Sequence, residues 1–284
     1  MQKTESLMAK ICSYILKHNK LSYMKSKQEA EDYLERRKDG MDETDRTPLY
    51  FGEKYDKKRS IIYIHGGAYV EDFNLQHRIY CHILAYTLKI PVIALRYPLA
   101  PQHTYHEAYR EINTFYDELT SQNRSIILVG DSAGGGLALS YTHYLKELGK
   151  KEPEMVIAIS PWINLCMDRK IDDTQDPILK AESLKIIAEK WADDTDTKNY
   201  KLSALYTKNY NLPRTLLITG TNEIFYDDIR EYHEKLIKHG QDVDIIIGEN
   251  LFHTYPLYPI PEAWKVLKEI KKEVNRVKTT SYTA

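Results

Sequence analysis

A serine lies at the centre of a G-x-S-x-G pentapeptide, Gly-Asp-Ser-Ala-Gly, at residues 130–134. An apolar run at 125–129 precedes it, and a helix-like segment at 137–148 follows it. In this strand–turn–helix context such a pentapeptide forms a nucleophile elbow, in which glycines permit a tight turn and the serine hydroxyl stands at its tip. The pattern predicts that Ser132 is a nucleophile. A glycine-rich turn with only a structural role is the alternative.

A serine hydroxyl at its ordinary pKa needs a general base within hydrogen-bonding distance, and an acid must orient that base. After a nucleophile elbow the chain order is serine, acid, histidine. His253 lies in a loop just past the last predicted strand, and we expect it to be the base. His143, His233 and His239 lie in helical patterns, where we expect surface positions.

Three carboxylates follow the predicted strand at 215–219. Glu223 comes directly after the strand end, whereas Asp227 and Asp228 come a turn later. We expect Glu223 to be the acid that orients His253, with Asp227 as the alternative. Any of the three could instead only stabilise the N-terminus of the following helix through its dipole.

A His-Gly-Gly-Ala segment at 65–68 follows the first strongly apolar strand pattern. Acyl transfer through a serine creates an oxyanion that needs preorganised N–H donors. We expect the amides of Gly66, Gly67 and Ala133 to supply them, with an ordinary glycine turn as the alternative. His65 precedes the serine in the chain, so we interpret it as a residue that holds this loop.

Short β-branched runs alternate with helical patterns along the chain. This alternation predicts an α/β fold, with a mostly parallel sheet covered by helices on both faces. Ligands bind such sheets beyond the carboxyl ends of the strands, and the candidate residues all follow strands. The predicted strands are 61–65, 92–96, 125–130, 155–160, 215–219 and 243–248, and the predicted helices include 75–88, 107–119 and 225–239.

Two stretches depart from the alternation. Residues 1–45 are helical and rich in Lys and Glu, and residues 168–205 are highly charged with an amphipathic piece around 184–191. We expect both to form a helical cap over the site, which leaves 46–167 and 206–284 as the catalytic core. An unstructured tail and a linker are the alternative.

Composition excludes several classes of partner. The 284 residues carry a net charge of −1, which gives no electrostatic footprint for nucleic acid or for an anionic membrane. Three unpatterned cysteines fit reduced thiols in a cytoplasmic protein. No signal-peptide pattern and no long apolar run is visible. We therefore expect a cytoplasmic protein that acts on a small molecule.

Four motifs occur in a characteristic order: His-Gly-Gly-Ala, Tyr-Pro-Leu-Ala-Pro-Gln at 97–102, Gly-Asp-Ser-Ala-Gly-Gly, and Ser-Pro-Trp at 160–162. With them the chain resembles the hormone-sensitive-lipase-like branch of the α/β-hydrolase carboxylesterases over about residues 60–260. The resemblance implies an eight-stranded, mostly parallel sheet with a helical cap. It also implies hydrolysis of small acyl esters without a cofactor or metal ion, and it allows for a homodimer.

The chain departs from the family pattern at a few positions. Pro98 and Gln102 stand where the family usually has Arg and Glu, and Asn164 stands where it commonly has Asp. Glu223 stands where the family usually carries Asp, and the residues that follow keep the family spacing up to Asp227. The resemblance therefore supports Glu223 as the acid.

The sequence thus predicts a serine carboxylesterase that works through an acyl-enzyme. An amidase or peptidase with the same triad is one alternative, and a small-molecule binding protein of the same fold is another. Tyr69, Trp191 and Tyr226 are candidates for filling the acyl pocket.

Overall fold

The computed structural model describes residues 5–38, 45–55 and 58–280. Residues 1–4 and 39–44 of the predicted N-terminal cap, and residues 56–57 and 281–284 of the predicted core, lie outside the described residues.

Seven strands form one sheet: β1 (Leu49–Phe51), β2 (Arg59–Ile64), β3 (Val92–Leu95), β4 (Ser125–Asp131), β5 (Met155–Ile159), β6 (Arg214–Asn222) and β7 (Val243–Phe252). Their order is β1-β3-β2-β4-β5-β6-β7, and all neighbours are parallel except β1, which is antiparallel to β3. The predicted α/β class and all six predicted strands are confirmed.

The implied number of eight strands is wrong for the described residues, which contain seven. At the β1 edge of the sheet, only the three residues of β1 lie beyond β3. A strand this short carries too little alternation to be recognised from sequence, and its position was not predicted.

Eight helices accompany the sheet in the described residues: α1 (Leu7–His18), α2 (Lys27–Lys38), α3 (Leu75–Leu88), α4 (Tyr105–Ser121), α5 (Ser132–Glu147), α6 (Ala181–Ala192), α7 (Tyr226–Lys238) and α8 (Pro261–Thr280). The helix predicted at 75–88 has the predicted bounds, and the other two differ by one or two residues at each end. None of the helices in the described residues is long and apolar enough to cross a bilayer.

The sheet separates two apolar cores. On β2, Ile62 and Ile64 pack into the core on one face, whereas Ile61 and Tyr63 pack into the core on the other. This follows from strand geometry, because successive side chains point to opposite faces. The central strands are buried on both sides, which explains their near-continuous apolar sequences.

The two long strands β6 and β7 bring distant residues together. Asn222 at the end of β6 pairs with Phe252 at the end of β7, so Glu223 and His253 leave the sheet side by side. The strands approach closely because Gly220 lacks a side chain: a Cβ there would overlap the backbone carbonyl of Leu251.

The N-terminal segment is joined to the segment between β5 and β6. Lys20 Nζ donates hydrogen bonds to the carbonyl oxygens of Asp176 and Leu179, both at 3.0 Å. Ser183 Oγ donates to the carbonyl oxygen of Ser26 at 3.1 Å. Helix α2 also packs against α6, so the two stretches predicted as a cap contact each other.

Candidate active site

Ser132 lies at the sharp turn between β4 and α5, with a left-handed φ of 52°. The turn has no room for side chains at residues 130 and 134, two positions before and after the serine. A Cβ on Gly130 would overlap the carbonyl of Gly134, and a Cβ on Gly134 would overlap the carbonyl of Ile64. A positive φ is strained for a serine, and the sharp turn that imposes this φ directs the hydroxyl outward.

The Ser132 hydroxyl is hydrogen-bonded to His253. Ser132 Oγ lies 2.8 Å from His253 Nε2, and His253 Nδ1 lies 2.7 Å from Glu223 Oε2. A carboxylate can only accept, so Nδ1–H donates to Glu223 and Nε2 is left to accept the Ser132 proton. The three side chains are nearly fully buried, which shields their hydrogen bonds from water.

Glu223 is itself held in place. Its Oε1 accepts a hydrogen bond from the Thr219 hydroxyl and another from the Gly220 N–H at 3.3 Å. The ring of Phe225 meets the His253 imidazole edge-on, with centroids 5.4 Å apart. One carboxylate oxygen is thus fixed by β6, which leaves the other directed at His253.

Opposing effects act on the pKa of His253. Burial lowers it, but the hydrogen bond and charge of Glu223, with the charges of Asp176 and Asp131, outweigh burial and raise the pKa above 6.5. A base with a raised pKa has a greater driving force for accepting a proton.

The alternative acid is not brought to His253. Asp227 is exposed in the first turn of α7, where its negative charge interacts favourably with the helix dipole. Its neighbour Asp228 is buried, lies 2.6 Å from Arg169 Nε, and accepts a hydrogen bond from Asn164 Nδ2 at 3.3 Å. The side-chain amide of Asn164 can donate a hydrogen bond to Asp228. An ionised aspartate at position 164 has no proton and could not donate one.

One of the three N–H groups expected to bind the oxyanion, that of Gly66, already has an acceptor in the protein. The Gly66 N–H donates to Asp131 Oδ1 at 3.1 Å, and a Cβ on Gly66 would overlap that carboxylate. Within the described residues, no acceptor contacts the N–H groups of Gly67 and Ala68, whose φ values are 107° and 51°. The Ala133 N–H lies in the first turn of α5, where amides lack an acceptor in their own helix.

Asp131 forms a buried polar cluster behind this loop, and sequence reasoning missed it. The Tyr63 hydroxyl donates to Asp131 Oδ1 at 2.5 Å, and His77 Nε2 lies 3.5 Å from Asp131 Oδ2. Burial alone would raise the pKa of Asp131, but His77 and the Tyr63 hydrogen bond hold it below its usual range. The signal was an acidic residue inside the pentapeptide, beside an otherwise apolar strand.

His65 contacts its own loop, as its interpretation requires. Its Nδ1–H donates to the carbonyl oxygen of Gly66 at 2.7 Å, and the Tyr97 hydroxyl donates to the His65 carbonyl oxygen at 2.8 Å. The two rings stack with centroids 4.6 Å apart. Burial and the neighbouring His77 lower the pKa of His65 to about 4, so the imidazole stays neutral.

The surface position expected for His143 is wrong. Its side chain is buried, and its Nε2 lies 2.9 Å from the Tyr232 hydroxyl of α7. Helix α5 is covered on nearly all sides, so a helical position on it does not imply exposure. His239 is exposed and His233 is half-buried.

A series of stacked aromatic rings ends at Phe225, the ring that meets His253. The Tyr69 ring stacks on Trp191 at a centroid distance of 4.4 Å and on Trp162 at 5.6 Å, and Trp162 in turn stacks on Phe225 at 5.9 Å. The backbone N–H of Trp162 donates to the carbonyl oxygen of Ser132 at 3.0 Å, and its indole N–H donates to the carbonyl oxygen of Asn164 at 3.1 Å. Two of the three predicted pocket aromatics belong to this stack.

The third predicted pocket aromatic lies elsewhere. Tyr226 is half-buried on α7, with the Arg230 guanidinium 5.7 Å from its ring centroid. Among the residues with described positions, no group of three or more His, Cys, Asp or Glu side chains is arranged to hold a metal ion.

Known proteins match this chain over most of its length. The sequence pattern of the alpha/beta hydrolase fold family matches residues 61–257. An esterase of Acinetobacter venetianus is 31% identical over 219 residues, which cover 74% of this chain and 72% of that protein. An acetyl-hydrolase of Streptomyces hygroscopicus is 27% identical over 218 residues, with 74% and 73% covered.

The fold also matches solved structures. An esterase from the bacterial hormone-sensitive lipase family superposes with a TM-score of 0.78 at 22% identity, over 95% of this chain and 97% of that one. The fold family predicted from the four motifs is therefore confirmed.

Proposed function

We propose that this chain, which belongs to the alpha/beta hydrolase fold family, is a serine carboxylesterase with Ser132 as nucleophile, His253 as general base and Glu223 as the acid that orients His253. The observation that carries the proposal is the hydrogen-bonded line from Ser132 Oγ through both ring nitrogens of His253 to Glu223. Esterase relatives of the family support ester hydrolysis as the reaction class.

In the first half-reaction, Ser132 Oγ attacks the carbonyl carbon of the ester while His253 Nε2 accepts the hydroxyl proton. The negative charge that develops on the carbonyl oxygen is stabilised by N–H donors, and the imidazolium is stabilised by Glu223. When the tetrahedral intermediate collapses, the carbon–oxygen bond to the alcohol breaks. His253 then protonates the departing alkoxide, which leaves an acyl group on Ser132.

In the second half-reaction, a water molecule takes the place of the alcohol. His253 accepts a proton from the water as its oxygen attacks the acyl carbon. The second tetrahedral intermediate releases the carboxylic acid, and the proton returns from His253 to Ser132 Oγ. The sum of the two steps is hydrolysis of one ester bond with the enzyme unchanged.

The oxyanion donors that we propose are the N–H groups of Gly67, Ala68 and Ala133. The first two lie on the loop after β2 and lack an acceptor in the described structure, and the third opens α5 beside the nucleophile. The bond from the Gly66 N–H to Asp131 gives Gly66 a different role, which is to fix the loop on the β4 turn. Preorganised donors lower the barrier because they need no reorganisation as charge develops.

We further propose that the substrate carries a short acyl group and that two segments of the chain form a cap over the site. The Phe225 ring meets the His253 imidazole edge-on and stacks on the Trp162 ring. The Tyr69 ring lies between Trp162 and Trp191, so we infer that large side chains fill the space beside the proposed base. Trp191 belongs to α6, in the segment that packs with the N-terminal helix α2. We assign residues 1–45 and 168–205 to this cap. The cytoplasmic location and the homodimer stay predictions.

The test is pre-steady-state hydrolysis of p-nitrophenyl acetate. A serine esterase should release a burst of about one p-nitrophenol per active site when deacylation is slower than acylation, followed by steady turnover. An acyl adduct of the expected mass on the peptide that contains Ser132 should appear during the burst. Absence of both the adduct and turnover would contradict the proposal. A higher kcat/KM for the matching p-nitroanilide than for the ester would favour an amidase.

A further inference from the structure

A second buried carboxylate lies close to the proposed acid. Asp176 belongs to the segment between β5 and α6 and is 2% exposed. Sequence reasoning passed over it, because it is one of many acidic residues in a charged stretch. The only local signal is Pro177 after it, since Asp before Pro is typical of a turn.

The Asp176 carboxylate accepts three backbone hydrogen bonds. Its Oδ1 accepts from the N–H groups of Ile178 and Leu179, both at 2.8 Å, and this closes a turn in its own segment. Its Oδ2 accepts from the N–H of Ile224 at 3.1 Å, across 48 residues of sequence. Ile224 directly follows Glu223, so one carboxylate joins the inserted segment to the loop that carries the proposed acid.

The backbone of Asp176 is anchored as well. Lys20 Nζ donates to the carbonyl oxygens of Asp176 and Leu179, so the N-terminal segment also holds the turn. The charges that interact with the Asp176 carboxylate include those of Lys20, which follows α1, and His253, which follows β7. A carboxylate fixed by three N–H donors and an anchored backbone has little freedom to move.

We propose that Asp176 is a positioning residue, which holds the Ile224 N–H and thereby keeps Glu223 Oε2 on His253 Nδ1. The inference rests on the proposed function and extends it to a residue outside the predicted triad. It gives the inserted segment a part in the proposed chemistry, because that segment fixes the loop that carries the acid.

Electrostatics supports the same role. Burial outweighs the other effects and raises the pKa of Asp176 above its ordinary value, whereas His253 and the three N–H donors act in the opposite direction and favour the charged form. The charges that raise the pKa of His253 come from Glu223, Asp176 and Asp131, on three separate elements. Loss of the Asp176 charge should therefore lower the pKa of His253, which a purely structural turn residue would not do.

The experiment compares Asp176→Asn with Asp173→Asn. Asn keeps the shape of Asp176 but has no charge, and its amide can offer only one acceptor oxygen to the three N–H groups. Asp173 is the matched control, because it lies in the same segment, accepts the Ala181 N–H at 3.0 Å, and pairs with Lys180 at 2.8 Å. No contact between Asp173 and the acid loop exists in the described structure.

Two readouts are measured on the full chain. The first is the pH profile of kcat/KM for p-nitrophenyl acetate, with active sites counted by burst titration. The second is NMR titration of His253 in protein labelled with ¹³C at histidine Cε1, with the resonance assigned by its loss in His253→Gln. The titration needs no turnover, so it tests Asp176 even if the esterase proposal fails for the wild-type protein.

We expect Asp176→Asn to lower kcat/KM per active site about tenfold at pH 7, with kcat affected more than KM. The His253 titration, and the acid limb of the profile with it, should move to lower pH. Asp173→Asn should retain the wild-type values. A His253 titration unchanged in folded Asp176→Asn would overturn the inference, whatever happens to turnover.

A second variant keeps the test open if Asp176→Asn does not fold. Asp176→Ser retains a short oxygen that can close the turn with Ile178, but it cannot also reach the Ile224 N–H and carries no charge. For Asp176→Ser too, we expect the His253 titration and the acid limb of the kcat/KM profile to move to lower pH. If neither variant folds, the carboxylate serves the fold as a whole, and the specific positioning role is rejected.

Discussion

The phenol ring of Tyr69 lies parallel to the indole of Trp191, with centroids 4.4 Å apart and 4° between the ring planes. Tyr69 follows the glycine loop after β2 and has a left-handed φ of 62°, a conformation that costs a bulky residue about 1–3 kcal/mol. Aromatic pairs contribute about 0.5–1.5 kcal/mol beyond area burial. The stack with α6 therefore offsets part of the strain in the proposed oxyanion loop.

Removal of the Trp191 indole should change both stability and acyl-chain preference. Trp191→Ala should destabilise the fold by about 3–5 kcal/mol, because a large buried ring is lost. The vacated space lies beside Tyr69, so the ratio of kcat/KM for p-nitrophenyl hexanoate over acetate should rise. Trp191→Phe keeps an aromatic partner and is the control. An unchanged ratio in folded Trp191→Ala would mean that Trp191 does not limit the acyl pocket.

Ser132→Ala should abolish ester turnover while the fold persists. Loss of the nucleophile in such triads costs of order 10⁶ in kcat. The side chain is small and sits at a turn whose shape depends on the neighbouring glycines, so circular dichroism and the unfolding midpoint should change little. The assignment of Ser132 is wrong if the folded variant keeps more than about a tenth of the wild-type rate, since other groups contribute only residual catalysis.

The pH dependence follows from the raised pKa of His253. His253 must be neutral to accept the Ser132 proton, so activity should fall as pH drops through its pKa, with the acid limb of kcat/KM above pH 6.5. The sign for stability is opposite. A raised folded pKa stabilises the protein below pH 6.5, and this contribution is lost as pH rises through the folded value.

A profile of kcat/KM and unfolding midpoints from pH 5 to 9, for wild type and His253→Gln, checks both signs. In His253→Gln the pH-dependent stabilisation should vanish together with turnover. An active His253→Gln protein with an unaltered acid limb would reassign the base to another histidine.

The parts of the site that the sequence predicted are those fixed by local geometry. Gly130 and Gly134 are required by the turn itself, so the position of Ser132 could be read from five residues. Glu223 and His253 each follow a recognisable strand, and the pairing of Asn222 with Phe252 then brings them together. Their catalytic roles stay predictions until the variants are measured.

The parts that the sequence did not predict depend on packing between distant segments. The Gly66 N–H bonds to Asp131 because β2 and β4 are neighbours in the sheet and end side by side, and no local pattern records that contact. Asp176 meets Ile224 only because the inserted segment folds back on the acid loop. His143 is buried beside the Tyr232 hydroxyl of α7, a contact that helical periodicity on α5 cannot indicate.

Substrate form separates an esterase from an interfacial lipase. In the proposed cap, the buried Trp191 ring stacks on Tyr69, which follows the glycine loop after β2. If these rings limit the acyl pocket, dissolved esters of short acids, from acetyl to hexanoyl, should be preferred over emulsified long-chain triglycerides. Initial rates with tributyrin should rise smoothly with concentration below its solubility limit and level off beyond it. A jump in rate when the substrate forms an emulsion would show that the cap opens at a lipid surface.

The identity of the acid gives the sharpest test. Glu223 and Asp227 lie only four residues apart, yet Glu223 Oε2 is 2.7 Å from His253 Nδ1 whereas Asp227 is exposed on the first turn of α7. Glu223→Gln preserves the side-chain shape but replaces one carboxylate oxygen with an amide nitrogen. That amide can donate where the imidazole must donate, so the wrong histidine tautomer is favoured.

We therefore expect Glu223→Gln to reduce kcat by about 10⁴, by analogy with the acid of other triads. Asp227→Asn should leave kcat close to wild type and lower stability by only about 0.3–1 kcal/mol, since it removes a favourable charge at a helix N-terminus. Steady-state kinetics and urea unfolding of both variants, with burst titration to count active sites, provide the comparison. The reverse order of activity would make Asp227 the acid and would require α7 to unwind at its first turn, because the exposed carboxylate could not otherwise reach the buried imidazole.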